Sequence, residues 1–203
     1  MKRDPSTRPA RLAQCAFEQF AEQGFENVNL DRIAAQAGVT KGSLYWHYRS
    51  KHELILAACQ FYYRRWHQAV QREIAPFVKP EARLRRALEY SVHSCVIDRK
   101  NRLFTTGIFL LMQQDPDVRT GWSQFYDSVR EVYVGLVAAV RGGGEDDEPE
   151  TRRAVDLMLE AMEGIKLRAA FEPQIAEPAE QQDLVAGLWS ILEAREPVGA
   201  ERR

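Results

Sequence analysis

From Thr40 to Lys51 the chain reads T-K-G-S-L-Y-W-H-Y-R-S-K, and this stretch holds the residues best placed to do chemistry. A short helix opening after Thr40 puts Leu44 and Tyr48 one turn apart, where both can face a core. Lys41, Ser43, Tyr45, Trp46 and His47 are then left largely on the other faces, and a helix of about two turns cannot bury four successive rings. Exposed aromatics beside a lysine suit a polyanion. Lys41 supplies a point charge, Tyr45 and His47 can donate to phosphate, and Trp46 offers an apolar surface to a sugar or a thymine methyl. Gly42 removes a side chain where the helix would come closest to a groove. Thr40 and the helix starts offer N–H groups to phosphate, and Lys51 can clamp a flanking phosphate.

Bond-making chemistry has no comparable support. There is no clustered carboxylate pair and no defensible Ser-His-Asp order. The run Gly142–Gly144 lacks the lysine and serine or threonine of a phosphate loop. The three cysteines, Cys15, Cys59 and Cys95, form no C-x-x-C pair, so free buried thiols in a reducing compartment are expected, with neither a disulfide framework nor a zinc site. His67 and His93 show no metal-ligand spacing. The expectation is a protein that is not an enzyme and needs no cofactor or metal.

The surrounding elements read as all-α, about nine helices, with apolar residues at i, i+3, i+4 and i+7 nearly throughout. Leu12, Cys15, Ala16 and Phe20 mark a first helix from near Pro9 to Gly24. Asn29 caps a second, ended by Gly38, and Thr40 caps the third. Ser50 with Glu53 makes a capping box for a fourth, from Lys51 to about Ile74. Further helices are expected over about Pro80–Asp98, Arg102–Gln113, Asp115–Val140, Glu150–Phe171 and Pro178–Arg195. Val39 would plug the crevice between the second and third helices. The expected domains are a helix-turn-helix at 1–52, a larger helical domain at 53–196 and a disordered tail at 197–203.

Whole-chain charge is −1, but it is unevenly spread. Residues 1–72 carry 11 Lys and Arg against 6 Asp and Glu, and the remainder carries 17 against 23. A basic first third with an acidic remainder points the N-terminal end at nucleic acid. The basic start lacks a following apolar run, and no apolar stretch is long enough to span a bilayer, so no signal peptide and no membrane partner are expected. A cytoplasmic protein is expected, on the nucleoid when bound to its operator.

The segment 24–54 resembles the DNA-binding domain of the tetracycline-repressor (TetR) family of bacterial regulators. The resemblance rests on Gly24-Phe25, Ile33-Ala34, Ala37-Gly38-Val39, Lys41-Gly42-Ser43-Leu44-Tyr45, Tyr48, Ser50-Lys51 and Glu53-Leu54. It implies a homodimer on the palindromic operator of double-stranded DNA, and a small-molecule effector that releases it. Thr40, Lys41, Gly42, Ser43, Tyr45, Trp46, His47 and Lys51 take the DNA-facing roles, with Asn29 at the cap of the second helix. Trp46 departs from the family, where a smaller or more polar residue is common, and Asn29 stands where serine or threonine is usual.

Beyond that segment the resemblance is one of layout. Val155, Met158, Met162 and Ile165 mark one face of the eighth helix, and Leu184, Leu188 and Ile191 mark the ninth. These are expected at a two-fold interface that completes a four-helix bundle. Large side chains of the middle helices suit an apolar pocket for an aromatic or lipophilic effector, with Trp66, Tyr90, His93, Phe109, Met112, Trp122 and Tyr126 as its expected lining. An activator, an architectural DNA binder that needs no effector, and a small all-α enzyme are the alternatives.

Overall fold

The structure is a computed structural model and describes residues 7–142 and 148–194. The expected tail at 197–203 lies outside them. Among the described residues there are nine α-helices and no strand: α1 (Thr7–Gln23), α2 (Leu30–Ala37), α3 (Lys41–His47), α4 (Lys51–Ile74), α5 (Pro80–Val92), α6 (Arg99–Leu111), α7 (Pro116–Arg141), α8 (Glu148–Arg168) and α9 (Gln181–Glu193). No helix among the described residues is long and apolar enough to cross a membrane.

Contacts divide the chain into two compact units. The first comprises Met1–Ala69 with Arg99–Phe125, and the second Val70–Asp98 with Tyr126–Arg203. The whole helix-turn-helix segment falls in the first unit, together with α6 and the start of α7.

In the first unit, α1 turns Leu12, Ala16, Phe17 and Phe20 inward against Ile33 of α2, Leu44 of α3, Leu54, Ala58 and Tyr62 of α4, and Phe104 and Ile108 of α6, all buried. Rings dominate this core: Phe17 meets Phe104 edge-on at 4.7 Å between centroids, and Phe20 stacks on Phe25 at 4.9 Å. Such pairs add about 0.5–1.5 kcal/mol each beyond their burial. Gly107 lets α6 lie close, because a Cβ there would stand 2.7 Å from the Phe25 ring. The Arg65 guanidinium lies 4.6 Å over the Phe17 ring and donates to Asn101, so among the described residues its charge is held by a ring and an amide.

In the second unit, α5, α7, α8 and α9 share a core of Leu84, Leu88, Tyr133, Val137, Val155, Met158, Leu159, Met162, Val185, Leu188 and Leu192. The buried Tyr133 hydroxyl donates to the Ala87 carbonyl at 3.0 Å and meets the Ser91 hydroxyl at 2.8 Å, which satisfies it. Arg141 ends α7 and donates to the Thr151 hydroxyl (3.0 Å) and the Leu192 carbonyl (2.9 Å), joining α7 to α8 and α9.

Three helix expectations need correction. The fifth helix does not run as α-helix to Asp98. It ends at Val92, and His93–Ile97 form a π-helical turn closed by the Asp98 N–H on the His93 carbonyl at 2.7 Å. The sixth begins at Arg99 rather than Arg102. Residues from Pro178 open the last helix only after short 3₁₀ turns at Pro173–Ala176 and Pro178–Glu180. The interface expectation also changes. Val155, Met158, Met162 and Leu188 are consumed by the core of the second unit and have almost no surface to offer a partner. Ile165, Leu184 and Ile191 keep part of theirs.

Candidate nucleic-acid interface

Local chemistry sets the two short helices. The Asn29 side chain accepts the Asp31 N–H at 2.8 Å and caps α2, where Asp31 also favours the positive helix end. At the other end Gly38 takes φ +70°, which its missing Cβ allows. The Val39 N–H then reaches back to the Ala34 carbonyl at 3.0 Å. Thr40 Oγ1 accepts the Ser43 N–H at 3.2 Å and opens α3 at once. Val39 is half-buried beside this turn, so it fills the crevice only in part.

Burial decides which way α3 faces. Leu44 has no exposed surface, and burying a leucine is worth about 1.5–3 kcal/mol. Tyr48 caps α3, and its half-buried hydroxyl donates to the Pro9 carbonyl of α1 at 3.0 Å. Burial is the main cause that raises its pKa. With this face fixed, Trp46 is 79% exposed and Tyr45 41% exposed, and the Trp46 and His47 rings meet edge-on at 4.6 Å. Lys41 is exposed and pairs with Asp31 across the turn at 2.9 Å, and the hydrogen bond it donates to Asp31 raises its pKa, so it stays charged. A Cβ on Gly42 would meet nothing closer than Thr40 Oγ1 at 3.9 Å, so nothing inside the chain requires glycine there.

The remaining expected residues are placed more ambiguously. Ser50 Oγ accepts the Glu53 N–H at 3.1 Å, and the Glu53 carboxylate accepts the Arg49 N–H at 2.8 Å, closing the expected box at the start of α4. Lys51 donates to the Glu26 carbonyl at 2.7 Å, so it braces the loop before α2 as well as presenting charge. Residues missed by sequence reasoning lie on α1. Arg8, Arg11 and Gln14 line one side of a cleft of about 1000 Å³, with Gln36, Thr40 and Ser43 opposite. The available signal was two arginines one turn apart near the basic N-terminus.

The expected effector residues are only partly gathered. In the first unit Phe109 packs on Trp122 (5.6 Å), and Trp66 and Trp122 both pack on Phe125 (5.7 and 5.5 Å). Met112 is half-buried just beyond α6. Tyr63 stacks on Phe125 at 4.6 Å, and its buried hydroxyl has only the weakly bonding Cys59 thiol beside it. Burial pushes the Tyr63 hydroxyl up, and pushes the neighbouring Cys59 thiol up to about 12. Tyr90, His93 and Tyr126 belong to the second unit. Tyr126 donates to Glu163, and His93 is exposed at the start of the π-helical turn, against its expected role as pocket lining.

Two short helices across a glycine turn, the second presenting lysine and aromatic side chains outward, have the arrangement of a helix-turn-helix DNA-binding segment. Comparison narrows the class. Residues 14–58 match the family described as bacterial regulatory proteins, tetR family. The HTH-type transcriptional regulator TtgR of Pseudomonas putida is 26% identical over 175 residues, covering 81% of this chain and 80% of that protein. The HTH-type regulator YerO of Bacillus subtilis is 36% identical over 52 residues, which is 26% of this chain. A TetR transcription regulator from Haloarcula marismortui shares the fold, with TM-score 0.77 over 93% of this chain and 97% of that one at 16% identity. The chain spans 18%, 22% and 35% of the length of YerO and of SrpR and TtgW of Pseudomonas putida. Residues 14–58 thus carry the segment that defines the tetR family of bacterial regulatory proteins, and the fold of the chain is that of a solved TetR regulator.

Proposed function

We propose that the protein is a homodimeric transcriptional repressor that holds a palindromic operator and is released by a small aromatic or lipophilic effector. The observation that carries the DNA-binding part is the outward display on α3. A tryptophan exposed to 79% beside Tyr45, Lys41 and an unobstructed Gly42 is costly in water and useful only against a partner. Major-groove bases with flanking phosphates suit that combination. Arg8 and Arg11 extend the positive surface, so binding should weaken steeply as salt rises.

Support for dimerisation comes from the outer face of α8 and α9 rather than from the buried residues first expected. Leu157, Leu167 and Phe171 are exposed along one side of α8 and just beyond it, with Ala161 and Gly164 between them. On α9 the outer face is Ala186, Gly187 and Ser190, flanked by Leu184 and Ile191. Small residues framed by apolar ones suit close helix packing about a two-fold axis. Support for the effector comes from the rings around Phe125 and the buried Tyr63 hydroxyl among them, which has only the weakly bonding Cys59 thiol beside it and which a bound molecule could satisfy better.

Selection of genomic DNA fragments by the purified protein at two salt concentrations tests this reading. The expected result is an enriched palindrome, lost in Lys41→Ala and weaker at the higher salt. No enrichment at either salt, or undiminished binding by Lys41→Ala, overturns the operator reading. An enriched motif that is not palindromic overturns the dimeric one.

A further inference from the structure

His52, Asp115 and Asp117 come from two elements far apart in sequence, and their side chains converge within the first unit. His52 lies in the first turn of α4, Asp115 caps α7 and Asp117 lies in its first turn. His52 Nε2 stands 2.9 Å from Asp115 Oδ2 and 3.8 Å from Asp117 Oδ2, and one donor atom from each residue lies within 4.8 Å of the others. We propose that these three side chains bind a divalent first-row transition ion, of which Zn²⁺ is the probe.

Geometry is the first argument. Nitrogen and oxygen donors sit at about 2.0–2.2 Å from such an ion, so two donors sharing it stand about 3.0–3.5 Å apart. The two distances to the His52 nitrogen bracket that range, and with every pair of donors within 4.8 Å, side-chain shifts of about an ångström would close the set. Donor type is the second. One imidazole with two carboxylates suits Zn²⁺, Mn²⁺ or Co²⁺, while Mg²⁺ and Ca²⁺ want oxygen throughout and more of it.

Charge is the third argument and an independent one. Many carboxylates elsewhere in the fold are answered by a permanent cation: Glu73 and Glu89 by Arg86, Asp156 and Asp127 by Arg130, Glu131 by Arg152, Glu172 by Arg168, Asp31 by Lys41 and Glu22 by Lys100. Among the described residues no lysine or arginine pairs with Asp115 or Asp117. A single imidazole serves both, which leaves the cluster negative even when His52 is protonated. Asp115 is already aimed, since its Oδ1 accepts the Asp117 and Val118 N–H groups at 3.0 and 3.2 Å and so turns Oδ2 toward His52. The remaining coordination positions face solvent and would take water. A bound ion would tie the start of α4, three residues after α3 ends, to the start of α7.

The test uses the full chain, stripped of metal with a chelator and titrated with Zn²⁺ by calorimetry and with Co²⁺ by visible absorption. Expected are one ion per chain, a melting temperature that rises with Zn²⁺, and at least tenfold weaker binding in His52→Gln and in Asp117→Asn. Asp117 is 73% exposed, so Asp117→Asn should fold and melt like the parent without metal, which separates lost ligation from lost structure. No saturable binding below millimolar Zn²⁺, equal affinity in parent and variants, or displacement of Zn²⁺ by equimolar Mg²⁺ would overturn the assignment. Metal binding is read without DNA, so this site and the operator reading can fail separately.

Discussion

Replacing Gly164 by alanine separates a free surface from a covered one. Gly135, Gly164 and Gly187 all lie inside helices, and a Cβ at any of them would meet nothing within 4 Å of the chain. Alanine exceeds glycine by about 1 kcal/mol in a helix interior. For a protein of this length that corresponds to a rise of about 2–4 °C in melting temperature, and the single chain gives no reason for the three sites to differ. A partner helix changes this only for Gly164 and Gly187. In a two-fold interface each substitution brings in two methyl groups, and overpacking costs about 1–3 kcal/mol per site. The propensity gain is the same in monomer and dimer and leaves association untouched, so the two overpacked sites, about 2–6 kcal/mol together, weaken dimerisation by at least about tenfold. Sedimentation equilibrium gives the association constant, and thermal melts at two protein concentrations give the stability. The expected pattern is that Gly135→Ala stabilises without altering association, whereas Gly164→Ala and Gly187→Ala shift the protein toward monomer. If all three raise the melting temperature alike and leave the association constant unchanged, the close helix approach does not exist.

Three further outcomes follow from single residues. Trp46→Ala should leave stability within about 0.5 kcal/mol, because its ring is mostly in water, and should weaken operator binding by about 1–3 kcal/mol in a fluorescence-anisotropy titration; equal affinity would remove Trp46 from the interface. Burial pushes the Asp115 carboxyl up, but the N–H groups of Val118 and Asp117 and the His52 ring outweigh it and hold the carboxyl below its usual 3.8. A depressed folded value contributes stability that is complete above 3.8 and is lost as pH falls through the lower folded value. Asp115→Asn should therefore be less stable at neutral pH and show a flatter acid-unfolding curve, and a variant with the parent's acid dependence would contradict this. The Cys59 thiol, buried and pushed up to about 12, should resist iodoacetamide at pH 8 until the protein unfolds, whereas labelling at the rate of a free thiol would show that its surroundings open in the native state.

The parts of the fold legible in the sequence are those decided locally. Asn29, Gly38, Thr40 and Ser50 each act on backbone groups within a few residues, so the positions and ends of α2, α3 and α4 follow from residue type alone. Exposure of Trp46 was legible for a related reason: a short helix anchored by Leu44 cannot turn its next three rings inward. The π-helical turn at His93–Ile97 was not legible. Its residues carry no glycine or proline, and a five-residue hydrogen bond there replaces the ordinary four-residue one without a local signal.

The outer face of α8 shows why periodicity stops short of an interface. Its apolar residues cover two faces, and sequence alone ranks those faces by side-chain size, which favoured Val155, Met158 and Met162. Large side chains are what a chain's own core takes first, because each buried methylene is worth about 0.8 kcal/mol wherever it is buried. The core of the second unit therefore claimed them, and left outside a face of lower hydrophobicity, Leu157, Ala161 and Gly164. A surface kept for a second subunit must stay tolerable in water until the subunits meet, so the less apolar of the two faces is the one the proposed dimer would use. The same limit applies to His52, Asp115 and Asp117. No spacing rule links them, and only the packing of α4 beside the turn before α7 brings an imidazole to two carboxylates.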